Sequence, residues 1–230
     1  MLFDLRGRGR RRTVQVIYVT LAVLMGGGLI LFGIGGATSG GLLDAFSGGG
    51  GGGGDTYEKA VERAQERVQA APADAAAWAA LARAQAQLAG TGESYDQATG
   101  SYTEKAQADL RAADRSWQKY LALAPNKVDG NVAAIMVQVY VQPGGLNNAQ
   151  KAVAAQEYVI DSQPESYGLY AQLAQYAYAA GQTRKGDLAA QKAVDLAPKS
   201  QRDTLKQSLE EVKSNAAGGA ATDGATSASG

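Results

Sequence analysis

Histidine and cysteine are both absent from the chain. Without them there is no disulfide, no thiolate or imidazole metal ligand, no cysteine or histidine nucleophile and no serine–histidine–aspartate arrangement. Any catalysis would fall to carboxylates, Lys, Tyr, Ser or Thr, and no cofactor or metal site is expected. A surplus of positive charge is also lacking: 22 Lys+Arg balance 22 Asp+Glu over 230 residues. Nothing remains to neutralise a nucleic acid backbone, so no nucleic acid partner is expected. Aromatics and proline are scarce, with three Phe, two Trp and five Pro. Alanine and glycine are abundant. An Ala-rich, Pro-poor chain points to close-packed helices rather than sheet.

The charges are unevenly placed. Residues 1–12 hold Arg6, Arg8, Arg10, Arg11 and Arg12 against Asp4 alone, and the next 31 residues, Thr13 to Leu43, carry no charged side chain. Within them Val14 to Ile34 contains 15 apolar residues out of 21. At 1.5 Å per residue that stretch spans roughly 30 Å, the thickness of a bilayer's hydrocarbon core. A buried core helix would show a polar face, and this segment has none. A cleaved signal peptide would have a shorter apolar region ending in an Ala-x-Ala-like site, and Gly36-Ala37-Thr38-Ser39 matches poorly. The expectation is an uncleaved transmembrane helix over 13–36, with cleavage as the alternative. The arginines precede the span and no Lys or Arg follows until Lys59. This bias predicts a cytoplasmic N-terminus over 1–12 and an extracytoplasmic remainder on a single-pass cell-membrane protein.

Gly26/Gly33 and Gly28/Gly35 lie one heptad apart in the span. A homodimer through that stripe is one reading, and glycines merely tolerated in lipid is the other. Residues 37–54 end in seven consecutive glycines, Gly48 to Gly54. With no side chains to bury and maximal backbone entropy, they predict a flexible linker. Residues 216–230 are Ala, Gly, Ser and Thr with few other side chains, and they predict a disordered tail.

Residues 55–215 form the expected folded part. The pattern is helical throughout and punctuated by Pro72, Pro125, Pro164 and Pro198. Proline cannot continue a helix and disfavours helical geometry in the residue before it, so each marks a turn between helices. Pro164 and Pro198 are 34 residues apart, the period of a tetratricopeptide repeat.

Residues 165–198 resemble such a unit. Tyr170, Leu173 and Ala174 stand where the family's first helix carries its signature, Gly181 at the turn, and Ala193 with Pro198 at the end of the second helix. Trp78, Leu81 and Ala82 match the same first-helix signature after Pro72. Ala113, Trp117 and Pro125 match the second-helix half. Pro72 to Pro125 is 53 residues and Pro125 to Pro164 is 39, so both units carry extra residues. The first excess contains loop-like stretches at 90–94 and 98–101. After it Tyr102, Ala106, Leu110, Ala113, Trp117, Leu121 and Ala124 recur at three- and four-residue steps, which predicts one long helix. The glycines there lack the order of a phosphate loop. The insertion is either a partner-contact element or a neutral surface feature.

The resemblance implies an all-α solenoid of antiparallel helix pairs. About three irregular repeats and flanking cap helices at Tyr57–Pro72 and Gln201–Ser214 would follow one transmembrane helix. Its concave face would carry Ala79, Arg83 and Ala86, then Val132, Met136 and Val139, then Ala171, Gln175 and Tyr178. That face is a candidate groove for an apolar or helical peptide, although Val132, Met136 and Val139 could equally be core. Glu62/Glu66 and Glu210/Glu211 suit a solvated helix face better than acid–base chemistry, so no enzyme is expected. In layout the chain resembles bacterial single-span tetratricopeptide proteins that accompany secretion channels and periplasmic chaperones. A membrane-anchored adaptor for a protein partner is the leading expectation. A self-assembling module and a non-catalytic subunit of a membrane enzyme are the alternatives.

Overall fold

A computed structural model describes residues 53–226 apart from position 124, with side chains from Thr56 to Ala217. The basic cluster Arg6 to Arg12, the apolar span and most of the glycine run lie outside the described residues. Among the described residues the fold is all-α, and no helix is long and apolar enough to cross a membrane.

The helices are α1 (Gly53–Ala70), α2 (Ala75–Ala89), α3 (Gln107–Ala122), α4 (Gly130–Val141), α5 (Ala149–Ser162), α6 (Tyr167–Ala179), α7 (Thr183–Leu196) and α8 (Arg202–Thr226). Side chains at four helix starts satisfy backbone donors that no helical carbonyl can reach. Asp74 accepts from Ala76 N at 2.9 Å, Asp129 from Asn131 N at 2.8 Å, Asn148 from Lys151 N at 3.0 Å and Ser166 from Leu169 N at 3.3 Å. Consecutive helices pack on one another from α1 to α3 and from α4 to α7, and α8 closes onto α6 and α7. The α4–α5 pair is antiparallel: Gly130 at the start of α4 abuts Ser162 at the end of α5, while Tyr140 lies under Lys151. The α6–α7 pair runs the same way, with Tyr178 against Gly186 at the turn and Tyr170 under Lys192 at the far end.

Three apolar clusters result. The largest joins α2, α3, α4 and α5 around Leu110, Trp117, Met136 and Tyr140, all essentially buried. Trp117 packs on Tyr120 and Tyr158, with ring centroids 5.3 Å and 6.1 Å away. A second cluster joins α6, α7 and α8 and consists mainly of alanines with Leu173, Tyr178 and Leu209. A small third cluster holds Ala64 and Val68 of α1 against Ala77 and Leu81 of α2.

Three boundaries differ from the sequence-based expectation. The helix predicted from Tyr102 begins at Gln107. Tyr102 instead belongs to a short antiparallel ladder, β1 (Tyr95–Asp96) with β2 (Ser101–Tyr102), and gives its N–H to Pro143 O at 2.9 Å rather than to a helical carbonyl. Helix α1 begins at Gly53, inside the glycine run. Helix α8 continues to Thr226, through residues whose composition predicted disorder. Alanine has the highest helix propensity, and Ala216, packed against the α6–α8 cluster, and Ala217 continue a helix whose earlier turns lie on α6 and α7.

Candidate functional site

The predicted groove residues do not share one open surface. Val132 is 1%, Met136 0% and Val139 0% exposed. With Ala79 and Ala86 they belong to the largest core cluster. This corrects the groove reading for α4, and the cause lies in the helix itself. Between Gly130 and Val141 only Asn131 and Gln138, one heptad apart, are strongly polar, and both face solvent. A helix apolar around the rest of its circumference is buried on several sides, here by α2, α3 and α5. Ala171 and Tyr178 are likewise buried, in the second cluster. Arg83 and Gln175 stay partly exposed. Arg83 is engaged, donating from Nη2 to Asp129 Oδ2 at 3.1 Å.

The repeat-signature residues are mostly structural. Leu81, Ala82, Ala113, Trp117, Leu173, Ala174 and Ala193 are buried. Trp78 is half-buried, packs against two clusters and donates Nε1–H to Pro72 O at 2.8 Å. Pro125, Pro164 and Pro198 lie in connections between helices, and Gly181 in the three-residue turn between α6 and α7.

The sequence reading missed the most organised polar groups, a tyrosine–carboxylate–lysine cluster that recurs three times. Asp114 of α3 accepts from Tyr140 Oη at 2.7 Å, and Lys151 Nζ of α5 donates to both its oxygens at 2.8 Å and 2.7 Å. Glu165 accepts from Tyr170 Oη at 2.9 Å and pairs with Lys192 of α7 at 2.9 Å. Asp187 of α7 accepts from Tyr178 Oη at 3.0 Å and from Lys213 of α8 at 2.6 Å. In each the lysine also sits 5.6–6.0 Å from the tyrosine ring centroid, within cation–π range. Burial, then the Asp114 carboxylate, raises the Tyr140 hydroxyl well above its ordinary range. Tyr178 is pushed up to about 12, by burial and then by Asp187. The Lys192 hydrogen bond, then that of Tyr170, holds Glu165 below the usual carboxylate range, and Lys213 followed by Tyr178 does the same for Asp187. Lys192 rises in turn, chiefly through Glu165. These are mutually neutralised groups that stitch helices together. In the Asp114 cluster, Tyr140 and Lys151 stand 26 and 37 residues from Asp114 in the chain, which leaves no local signal there.

One cleft, of about 420 Å³, runs between α7 and α8 beside Tyr178. Its lining includes the apolar Ala190, Val194 and Leu209 and the charged Lys206 and Glu210. Leu188, 62% exposed, stands on the same helix. Among the described residues no group of three or more carboxylates gathers where a metal ion could be held. No protein-family model matches the chain, and no curated protein is significantly similar to it in sequence.

Proposed function

We propose that the protein is a membrane-anchored scaffold of the tetratricopeptide type, which holds a protein partner outside the cytoplasm and performs no chemistry of its own. The observation that carries this reading is the order of parts along the chain. Five arginines abut a 31-residue uncharged run, a glycine tether follows, and then come helices arranged in packed pairs. A positive cluster before an apolar span orients it with the cluster inside. A stack of helix pairs, one of them at the 34-residue spacing of Pro164 and Pro198, supplies extended surface rather than a reaction centre. The carboxylates that meet tyrosine and lysine support a non-enzymatic role, because each is already neutralised by its neighbours.

The test has two arms on the full chain. A reporter active only outside the cytoplasm, fused after Gly230, is expected to be active; activity of a cytoplasm-only reporter at that site would overturn the orientation. The chain solubilised in mild detergent is then expected to retain a specific protein partner. Gln175→Arg, a charge at the partly exposed end of the predicted face, is expected to weaken that retention without changing the melting temperature. A full chain that holds only further copies of itself would favour the self-assembling module instead.

A further inference from the structure

The two places where the chain exceeds a 34-residue spacing come together in space. The first excess is the segment 90–106, the second the turn 142–148. Tyr102 N donates to Pro143 O at 2.9 Å, and Gln107 Nε2 to Gly144 O at 2.6 Å. Gln142 Nε2 donates back to Tyr95 Oη at 2.8 Å and to Gly100 O at 2.7 Å. Gly144 lies against the Tyr102 backbone with φ +73°, where a Cβ would overlap the Tyr102 carbonyl. Only glycine serves there, both for the close approach and for the left-handed backbone.

Neither half stands alone. The β1–β2 ladder is two residues long on each side, and an isolated hairpin is marginal even at greater length. Its Tyr95 and Tyr102 rings meet edge-on at 5.4 Å and pack on the α2–α5 core. The 142–148 turn is tied to α4 by Leu146 N to Val139 O at 2.8 Å and Asn148 N to Tyr140 O at 3.1 Å. Yet it leaves the carbonyl of Pro143 to Tyr102 of the insertion and that of Gly144 to Gln107, the first residue of α3 after it. Each half thus supplies donors or acceptors the other would otherwise leave to water.

We propose that the 90–106 insertion and the 142–148 turn are two halves of one latch, which couples the α2–α3 pair to the α4–α5 pair. The insertion is neither a free partner-contact loop nor a neutral ornament. Its order depends on a turn more than forty residues away, and the order of that turn depends on it.

Hydrogen exchange on the full chain tests this reciprocity. Gln142→Ala removes both side-chain hydrogen bonds from Gln142 to the insertion and leaves every buried core side chain in place. Amides of 95–102 are expected to exchange about tenfold faster while those of α6 to α8 stay as they were. Gln107→Ala, where the insertion runs into α3, is expected to speed amides 144–148. Gly144→Val is expected to open both halves at once, and if it prevents folding, the two glutamine variants decide. The latch is rejected if each glutamine variant loosens only the segment that bears it, if neither changes exchange, or if exchange rises uniformly through α6 to α8.

Discussion

The α2–α5 and α6–α8 regions stabilise the same element, a packed helix pair, by different means. In the first, Leu110, Trp117, Met136, Tyr140 and Val159 are buried to 2% exposure or less, and each brings a large apolar surface. In the second, Ala171, Ala174, Ala177, Ala189 and Ala193 let backbones approach closely while Leu173, Tyr178 and Leu209 fill what remains. Gly186 carries this furthest: the Tyr178 ring rests directly on its backbone, where any Cβ would overlap it. Two of the three tyrosine–carboxylate–lysine clusters also lie in this second region, at its surface. Burial of large side chains is the stronger and more cooperative device; exposed ion pairs contribute little each and respond to salt and pH. The comparison predicts a robust α2–α5 block and a softer α6–α8 end.

The largest expected effect is in the first block. Trp117→Ala removes the ring that joins α3 to Tyr158 of α5, and thermal or denaturant unfolding is expected to show a loss of about 3–5 kcal/mol. Next comes Gly186→Val in the second region. Its branched side chain meets the Tyr178 ring, and an overpacked site of this kind costs roughly 1–3 kcal/mol. Near-ultraviolet circular dichroism should report the displaced tyrosine while the Trp117 signal persists.

The smallest effect is electrostatic. Glu165 and Asp187 titrate below their ordinary values in the fold. A carboxyl whose folded pKa is depressed adds stability above its unfolded pKa and loses it as pH falls through the folded one. The contribution is therefore full at neutral pH and fades as the pH falls through and below the ordinary carboxylate range. Both groups are solvent-exposed, so the change in melting temperature should be small and further reduced by salt. Asp187→Asn should flatten that acid limb for α6–α8; an unaltered pH profile would remove the Asp187 cluster from the account.

Much of the helix order is legible in the chain, because proline and N-cap chemistry are local. Pro72, Pro164 and Pro198 separate helices, and Trp78, Leu81 and Trp117 occupy packed positions at helical spacing. Three features are not legible, each for want of non-local information. The periodicity from Tyr102 to Leu121 looks like one helix until Pro143 O takes the Tyr102 N–H. The apolar stripe Val132, Met136, Val139 suits a groove or a core equally well until neighbours are placed around α4. The clusters on Asp114, Glu165 and Asp187 draw partners from separate helices, except that Glu165 and Tyr170 lie five residues apart, a hint that local reading could have caught. The α7–α8 cleft was open to inference, since Asp187, Ala190 and Val194 repeat at helical steps, as do Lys206, Leu209 and Lys213.

The burial of the α4 stripe decides where a partner can bind, and Met136→Lys tests it most directly. A lysine there would place an ammonium in a fully enclosed apolar site with no partner. The melting temperature of the full chain carrying Met136→Lys is predicted to fall about as far as that of Trp117→Ala. An unchanged melting temperature would show that Met136 reaches water, returning the α4 stripe to the candidate groove and contradicting the packing described for α2 to α5.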